Sequence, residues 1–229
     1  MCGRFANHVR DMGRWAEILG DWPDDVDTSY NIAPGAAIAA YTAAEVREKV
    51  DAASAPAKGR AMRWGLIPAW SKTPQNKYAT FNARAETLSS KPTFRSAWKH
   101  SQRCLIPVQG YYEWTLDDGK KQPSYIAAAN GGPLIFAGLW DQWLGGELPL
   151  WSCTIITCPA ISAIAHIHPR MPIMIPRENA DLWLHGDNTD YAGLLASPPG
   201  VELKHHRVSM LVNNPRNQGE TLTQAVTSQ

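Results

Sequence analysis

No uninterrupted apolar run in this chain reaches the roughly 20 residues that a helix needs to cross a bilayer. The N-terminus also lacks the basic-then-apolar pattern of a secretory signal, so cytoplasmic residence and no membrane partner are expected. Charge of one sign is missing as well: 22 Lys and Arg face 21 Asp and Glu, leaving +1. A near-neutral chain is not drawn onto nucleic acid by its overall field, so any such contact must come from a local basic patch. Cysteine is scarce, and Cys2, Cys104, Cys153 and Cys158 are too irregularly spaced for a disulfide framework in 229 residues. No glycine-rich phosphate loop follows a strand and no regular βαβ alternation occurs, which disfavours nucleotide-binding α/β folds. Without a repeat, a low-complexity tract or a long linker, a single domain over residues 1–229 is expected.

What is present is mostly strand pattern. Short apolar or alternating runs predict strands at 61–67, 103–109, 111–116, 123–129, 133–140, 151–157, 171–175 and 201–209. A further short apolar run covers 36–42, and turn signals stand at Asp117-Asp-Gly119 and Asn130-Gly-Gly132. Helices are predicted at 8–20, where Val9, Met12, Trp15, Ile18 and Leu19 form a stripe ending at Gly20, and at 91–99, 159–165, 177–185 and 190–197. The polar, alanine-rich stretch 44–60 reads as a surface hairpin or loop. Together these give an α+β fold with an antiparallel, partly barrel-like β-sheet core and packed peripheral helices.

Cys104 lies in an apolar strand and reads as a core thiol. Cys153 and Cys158, with His166 and His168 downstream, admit a zinc reading, but the paired short spacing of a zinc knuckle is missing, and buried strand cysteines are the better account. No metal and no cofactor are expected. Cys2 is different. Methionine excision acts where the second residue is small, and loss of Met1 would give Cys2 a free α-amine two carbons from its thiol. An amine with a pKa near 7.7–8.0 is partly neutral at pH 7 and attacks an aldehyde to give an imine. The thiol then closes a five-membered thiazolidine, and proximity favours this intramolecular step.

Six polar-rich segments accompany the opening Met-Cys-Gly-Arg-Phe. They are Asn31-Ile-Ala-Pro-Gly35, Arg63-Trp-Gly-Leu-Ile-Pro-Ala-Trp70, Phe81-Asn-Ala-Arg-Ala-Glu-Thr87, Gly110-Tyr-Tyr-Glu-Trp114, Ile167-His-Pro-Arg-Met-Pro172 and Val212-Asn-Asn-Pro-Arg-Asn-Gln218. In this order, over nearly the whole chain, they resemble the SOS-response-associated peptidase (SRAP) family. The resemblance implies a protein that recognises abasic sites in single-stranded DNA and crosslinks to the ring-opened deoxyribose through the N-terminal cysteine, shielding the lesion. The peptidase, a hydrolase activity, is then processing of the protein's own N-terminus, and lyase-type chemistry at the opened sugar also falls within its reach.

The resemblance also implies roles. Beside Cys2, Asn82 holds the Cys2 amine, Glu113 moves protons, and His168 binds the opened sugar. An aromatic setting among Tyr111, Tyr112 and Trp114 would raise the Glu113 carboxyl by desolvation, which suits proton transfer near neutrality. His166 matches no family role and reads as structural. For DNA contact the candidates are Arg4, Arg84 and Arg170, whose guanidinium forks match phosphate oxygens or make structural ion pairs, and Trp70, which would stack on a base or cap a duplex end. Thr157 and Asn214 are secondary contacts. Ser71 stands where many relatives carry a second aromatic, which weakens the expected stacking. A monomer is expected, with replication-fork proteins as possible partners.

Two other readings remain open. An N-terminal-cysteine amidohydrolase also opens with Met-Cys-Gly, though Arg-Phe follows here and no counterpart of its glutamine-binding segments is evident. A non-covalent reader of single-stranded or modified DNA would use the same arginines and tryptophans without forming an adduct.

Overall fold

A computed structural model describes residues 2–8, 15, 19–43, 57–75, 78–117, 119–186, 195 and 200–226. Eleven strands are present among them. β1 (Phe5–Ala6), β2 (Ala37–Thr42), β3 (Lys58–Trp64) and β4 (Asn82–Arg84) precede helix α1 (Pro92–Lys99). β5 (Arg103–Val108), β6 (Gly110–Asp117), β7 (Lys120–Ala128), β8 (Leu134–Trp143) and β9 (Leu150–Pro159) follow in succession. Then come α2 (Ser162–Ala165), β10 (Arg170–Pro172), α3 (Ala180–His185) and β11 (Leu203–Arg207).

Five strands close on themselves in the order β9–β3–β2–β5–β8, with β8 pairing back onto β9. β3 and β4 run parallel to β9 and the remaining barrel pairs are antiparallel, so the barrel is mixed. This is the expected α+β architecture with a barrel-like core, although the core is not purely antiparallel. A separate antiparallel sheet runs β1–β6–β7–β11. It docks on the barrel through aromatic edges: Phe5 meets Trp64 with ring centroids 4.9 Å apart, and Tyr111 meets Phe136 at 5.7 Å.

Closure explains the unbroken apolar runs. All six residues of β5 are buried, and β9 is buried from Ser152 to Cys158, because one face fills the barrel and the other is covered. Helix α3 covers β5, where the Trp183 indole donates to the Cys104 carbonyl at 3.0 Å. The buried Arg103 guanidinium lies between the Trp98 and Trp183 rings, which shield its charge by cation–π contact. Helix α1 begins with Pro92, whose missing N–H costs nothing at a helix start, and buries Phe94 and Ala97. Among the described residues no helix is long and apolar enough to cross a membrane.

The run at 36–42 is β2. Part of the stretch read as a loop, Lys58–Arg60, instead forms the start of β3, where it pairs with Ala40–Thr42; residues 44–56 of that stretch lie outside the described residues. Its polarity misleads because the Arg60 guanidinium packs 3.8 Å above the Trp151 ring. The helix expected at 159–165 is shortened to Ser162–Ala165, since β9 runs through Pro159 and pairs there with Arg170. The one expected at 177–185 is a 3-10 turn at Arg177–Asn179 leading into α3. Of the helices expected at 8–20 and 190–197, Trp15, Leu19 and Leu195 are helical, and most of the rest lies outside the described residues.

Gly138 sits where β8 is squeezed between β5 and β9. A Cβ there would lie 2.7 Å from Cys104 Sγ and 2.9 Å from the Thr154 carbonyl oxygen. Gly138→Val is expected to cost at least about 1–3 kcal/mol, read as a lower midpoint in urea unfolding at unchanged slope. An unchanged midpoint would show slack at this seam.

Candidate active site

The start of the chain is clamped on two sides. Phe5 and Ala6 pair with Tyr111 and Gly110 of β6, and the Tyr112 amide donates to the Arg4 carbonyl at 2.9 Å. On the other side Phe5 and Ile32 exchange backbone hydrogen bonds of 3.2 and 2.8 Å. The Arg4 guanidinium closes the clamp, donating through Nη1 to Asn31 Oδ1 at 2.8 Å and to the Val212 carbonyl at 2.7 Å. Asn31 in turn donates through Nδ2 to the carbonyls of Asn214 and Asn217. Residues near both ends of the sequence thus fix the place of Cys2.

Cys2 is fully buried, and its carbonyl accepts a 2.6 Å hydrogen bond from Asn82 Nδ2. Asn82 is carried by β4, paired to Ile155 of β9, so the barrel wall sets the position of its amide. Asn82 Oδ1 is buried with no protein partner among the described residues, leaving an acceptor available inside the site. Glu113 comes from β6, across the ladder from Ser124, and is almost wholly buried. Burial pushes its carboxyl above the ordinary value of 4.5, against the pull of the N-terminal ammonium and of His168. The Cys2 thiol is pushed up by burial and by the nearby Glu113 charge. These are the field effects of groups lying close together: Cys2, Asn82, Glu113 and His168 form one cluster.

His168 is held by its own backbone neighbourhood. Its Nδ1 lies 3.0 Å from the Arg170 amide nitrogen, which can only donate, and this contact assigns the ring proton of neutral His168 to Nε2. The Arg170 carbonyl, 3.1 Å from the same nitrogen, is placed to accept once Nδ1 also carries a proton.

The six candidate DNA contacts divide by exposure. Trp70, Arg84 and Asn214 are exposed, Trp70 at 62 %. Arg170 is instead forked onto Glu86, with Nη2 donating to Oε2 at 2.9 Å and to the Thr157 carbonyl at 2.7 Å. Thr157 is fully buried and donates to the Ala83 carbonyl at 3.3 Å, so it lies under the surface that a strand would touch. Arg4 is half-buried in its clamp. The zinc reading finds no geometry. Cys153 and Cys158, an odd number of residues apart on β9, face opposite sides, while the His166 ring packs against His205 at 4.9 Å.

Two residues of the motif segments take parts in the site that the sequence does not assign. Asn31 is the hub of the clamp described above. Tyr111 is fully buried, its hydroxyl has no hydrogen-bond partner among the described residues, and burial with the Cys2 and Glu113 charges raises its pKa. The alternation of β6, which sets Tyr111 and Glu113 on one face, is the signal that points to it.

Residues 1–215 match the family described as SOS response associated peptidase (SRAP). The chain is 37% identical to abasic site processing protein YoqW of Bacillus subtilis, over 98% of this chain and 100% of that protein. It is 32% identical to abasic site processing protein HMCES of Xenopus tropicalis, over 95% of this chain and 76% of that one. A crystal structure of a protein from Bordetella bronchiseptica, 27% identical, superposes with a TM-score of 0.77 over 91% of this chain and 100% of that one. The chain belongs to the SRAP family.

The raised Glu113 carboxyl carries a stability consequence. The folded protein binds this proton more tightly than the unfolded chain, so ionisation inside the site is destabilising. The contribution is fully present below the ordinary value of 4.5 and is lost as pH rises through the elevated one. Glu113→Gln should therefore gain stability relative to the parent between pH 4.5 and neutrality, measured by urea unfolding at several pH values. A pH-independent difference would mean that Glu113 titrates as an ordinary carboxyl.

Proposed function

We propose that this SRAP-family chain senses abasic sites in single-stranded DNA and joins to them covalently through Cys2, once Met1 has been removed. The names of its curated relatives support the substrate. The chemistry rests on one observation above all: a barrel asparagine, Asn82, grips the main chain of Cys2 beside a buried carboxyl. That grip orients both groups of the residue, the α-amine on one side of Cα and the thiol on the other.

The reaction needs no outside co-reactant. The neutral amine attacks the aldehyde carbon of the ring-opened deoxyribose, forming a C–N bond. The resulting carbinolamine loses its hydroxyl as water, protonated by Glu113, to give an imine. The thiol sulfur then bonds to the imine carbon, and its proton passes to the nitrogen. One aldehyde and one aminothiol become one thiazolidine and one water. The site supports this order of steps: burial above all keeps the thiol protonated, so the amine acts first and sulfur follows. A carboxyl raised by burial suits both donation and recovery of the proton. His168, its ring held through Nδ1 at the Arg170 backbone, assists opening of the sugar. Exposed Arg84, Trp70 and Asn214 meet the strand, and Arg4 and Arg170 stiffen the surface behind them.

Denaturing electrophoresis with an abasic oligonucleotide is expected to show a stable adduct. Its intact mass should equal the chain without Met1, plus the oligonucleotide, less one water. Cys2→Ala should abolish it. Like Cys2→Ala, Cys2→Ser keeps the α-amine without the thiol, so each should give only an imine that requires borohydride trapping. A Cys2→Ala adduct as abundant as the parent's would sink the proposal. Glutamine hydrolysis without an adduct would point to the amidohydrolase, and salt-sensitive binding alone to the non-covalent reader.

A further inference from the structure

From Glu86 to Glu113 the sequence contains no acidic residue, yet Lys91, Arg95, Lys99 and Arg103 recur at every fourth position. Arg103 is buried between tryptophans, whereas Lys91, Arg95 and Lys99 are exposed. A four-residue interval on a helix returns to nearly the same face and advances about 6 Å. The N-cap residue and body of α1 therefore present a row of cations, while Phe94 and Ala97 anchor the opposite face in the core.

A cleft of about 590 Å³ lies along this helix. Trp70 and Ser89 line it together with Pro92, Arg95, Ser96, Trp98, Lys99 and His100. No carboxylate is among the residues lining it. Trp70 is exposed but rigidly mounted. The Ala69 amide donates to Asp141 at 2.9 Å, and the Trp143 indole donates to the Ser71 carbonyl at 2.7 Å. A large aromatic held still in solvent, sharing a cleft with Arg95 and Lys99, supplies the two parts of a single-strand site: a stacking platform and a charged track. The chain connects this cleft to the reactive cluster, since α1 begins eight residues after Arg84 of β4.

We infer that Lys91, Arg95 and Lys99 form a track for the phosphodiester backbone of the substrate strand, with a base of that strand stacked on Trp70. This rests on DNA being the substrate, and it lengthens the footprint well beyond the nucleotide that reacts. The track explains how a chain with a net charge of only +1 holds a polyanion, since three exposed cations lie along one helix beside a cleft lined by no carboxylate.

The test uses the full chain carrying Cys2→Ala, so that no adduct contributes, with an undamaged, labelled single-stranded oligonucleotide read by fluorescence anisotropy over a salt series. Adding Lys91→Ala, Arg95→Ala and Lys99→Ala together should make the slope of log K against log salt shallower by about 2. Adding Trp70→Ala alone should weaken binding roughly tenfold while leaving the slope unchanged. Thermal unfolding checks the fold; if the triple substitution fails to fold, Lys99→Glu alone should still make the slope shallower by about 1. An unaltered slope overturns the track. Absence of an adduct in the parent would overturn the covalent reading instead, and leaves the salt result to stand by itself.

Discussion

The backbone pairing of Phe5 and Ala6 with β6 is the constraint on which the site depends. A two-residue strand has little cohesion of its own, and here it is held between β6 on one side and Ile32 on the other. Arg4 adds a fork to Asn31 and Val212, two segments far away in sequence. With the following residues immobilised, Cys2 has almost no freedom left, and a single amide hydrogen bond from Asn82 suffices to fix it. Residues near a chain end normally fray. Here Cys2 and Phe5 are fully buried in the core.

Two structural units supply the reactive groups. The barrel contributes Asn82 through β4 and His168 through the turn before β10, while the outer sheet contributes Glu113 and the pairing edge for the N-terminus. The cluster therefore lies where the two sheets meet, and its geometry depends on the aromatic contacts that join them. Phe5 against Trp64 and Tyr111 against Phe136 are the principal ones. Substitutions at these rings would disturb the cluster without touching any of its side chains.

The barrel strands were legible because closure buries both faces, and continuous apolar segments such as Cys104–Val108 and Cys153–Thr157 betray that. Strand β4 was not: three residues, two of them polar, carry no periodicity, and only the motif containing Asn82 drew attention to them. Lys58–Arg60 was misread for a similar reason, since pairing concerns the backbone and is indifferent to a lysine or arginine side chain. The order of motifs brought out Cys2, Asn82, Glu113 and His168, which the fold gathers. It could not distinguish an arginine that faces solvent from one that faces a carboxylate. Arg84 and Arg170 look alike in the sequence, yet Glu86 occupies Arg170 and leaves Arg84 exposed. That difference lies in tertiary placement alone.

The protonated state of the buried Cys2 thiol also bears on how the protein lasts. Peroxides and alkylating metabolites attack thiolates, and a sulfur enclosed in protein and kept in its S–H form reacts with them slowly. All four cysteines are buried as free thiols, so none is exposed for disulfide exchange. For the proposed crosslinking, Cys2 must remain intact until an abasic site arrives. Burial that makes Cys2 a sluggish nucleophile toward small oxidants is, in that sense, a preservative.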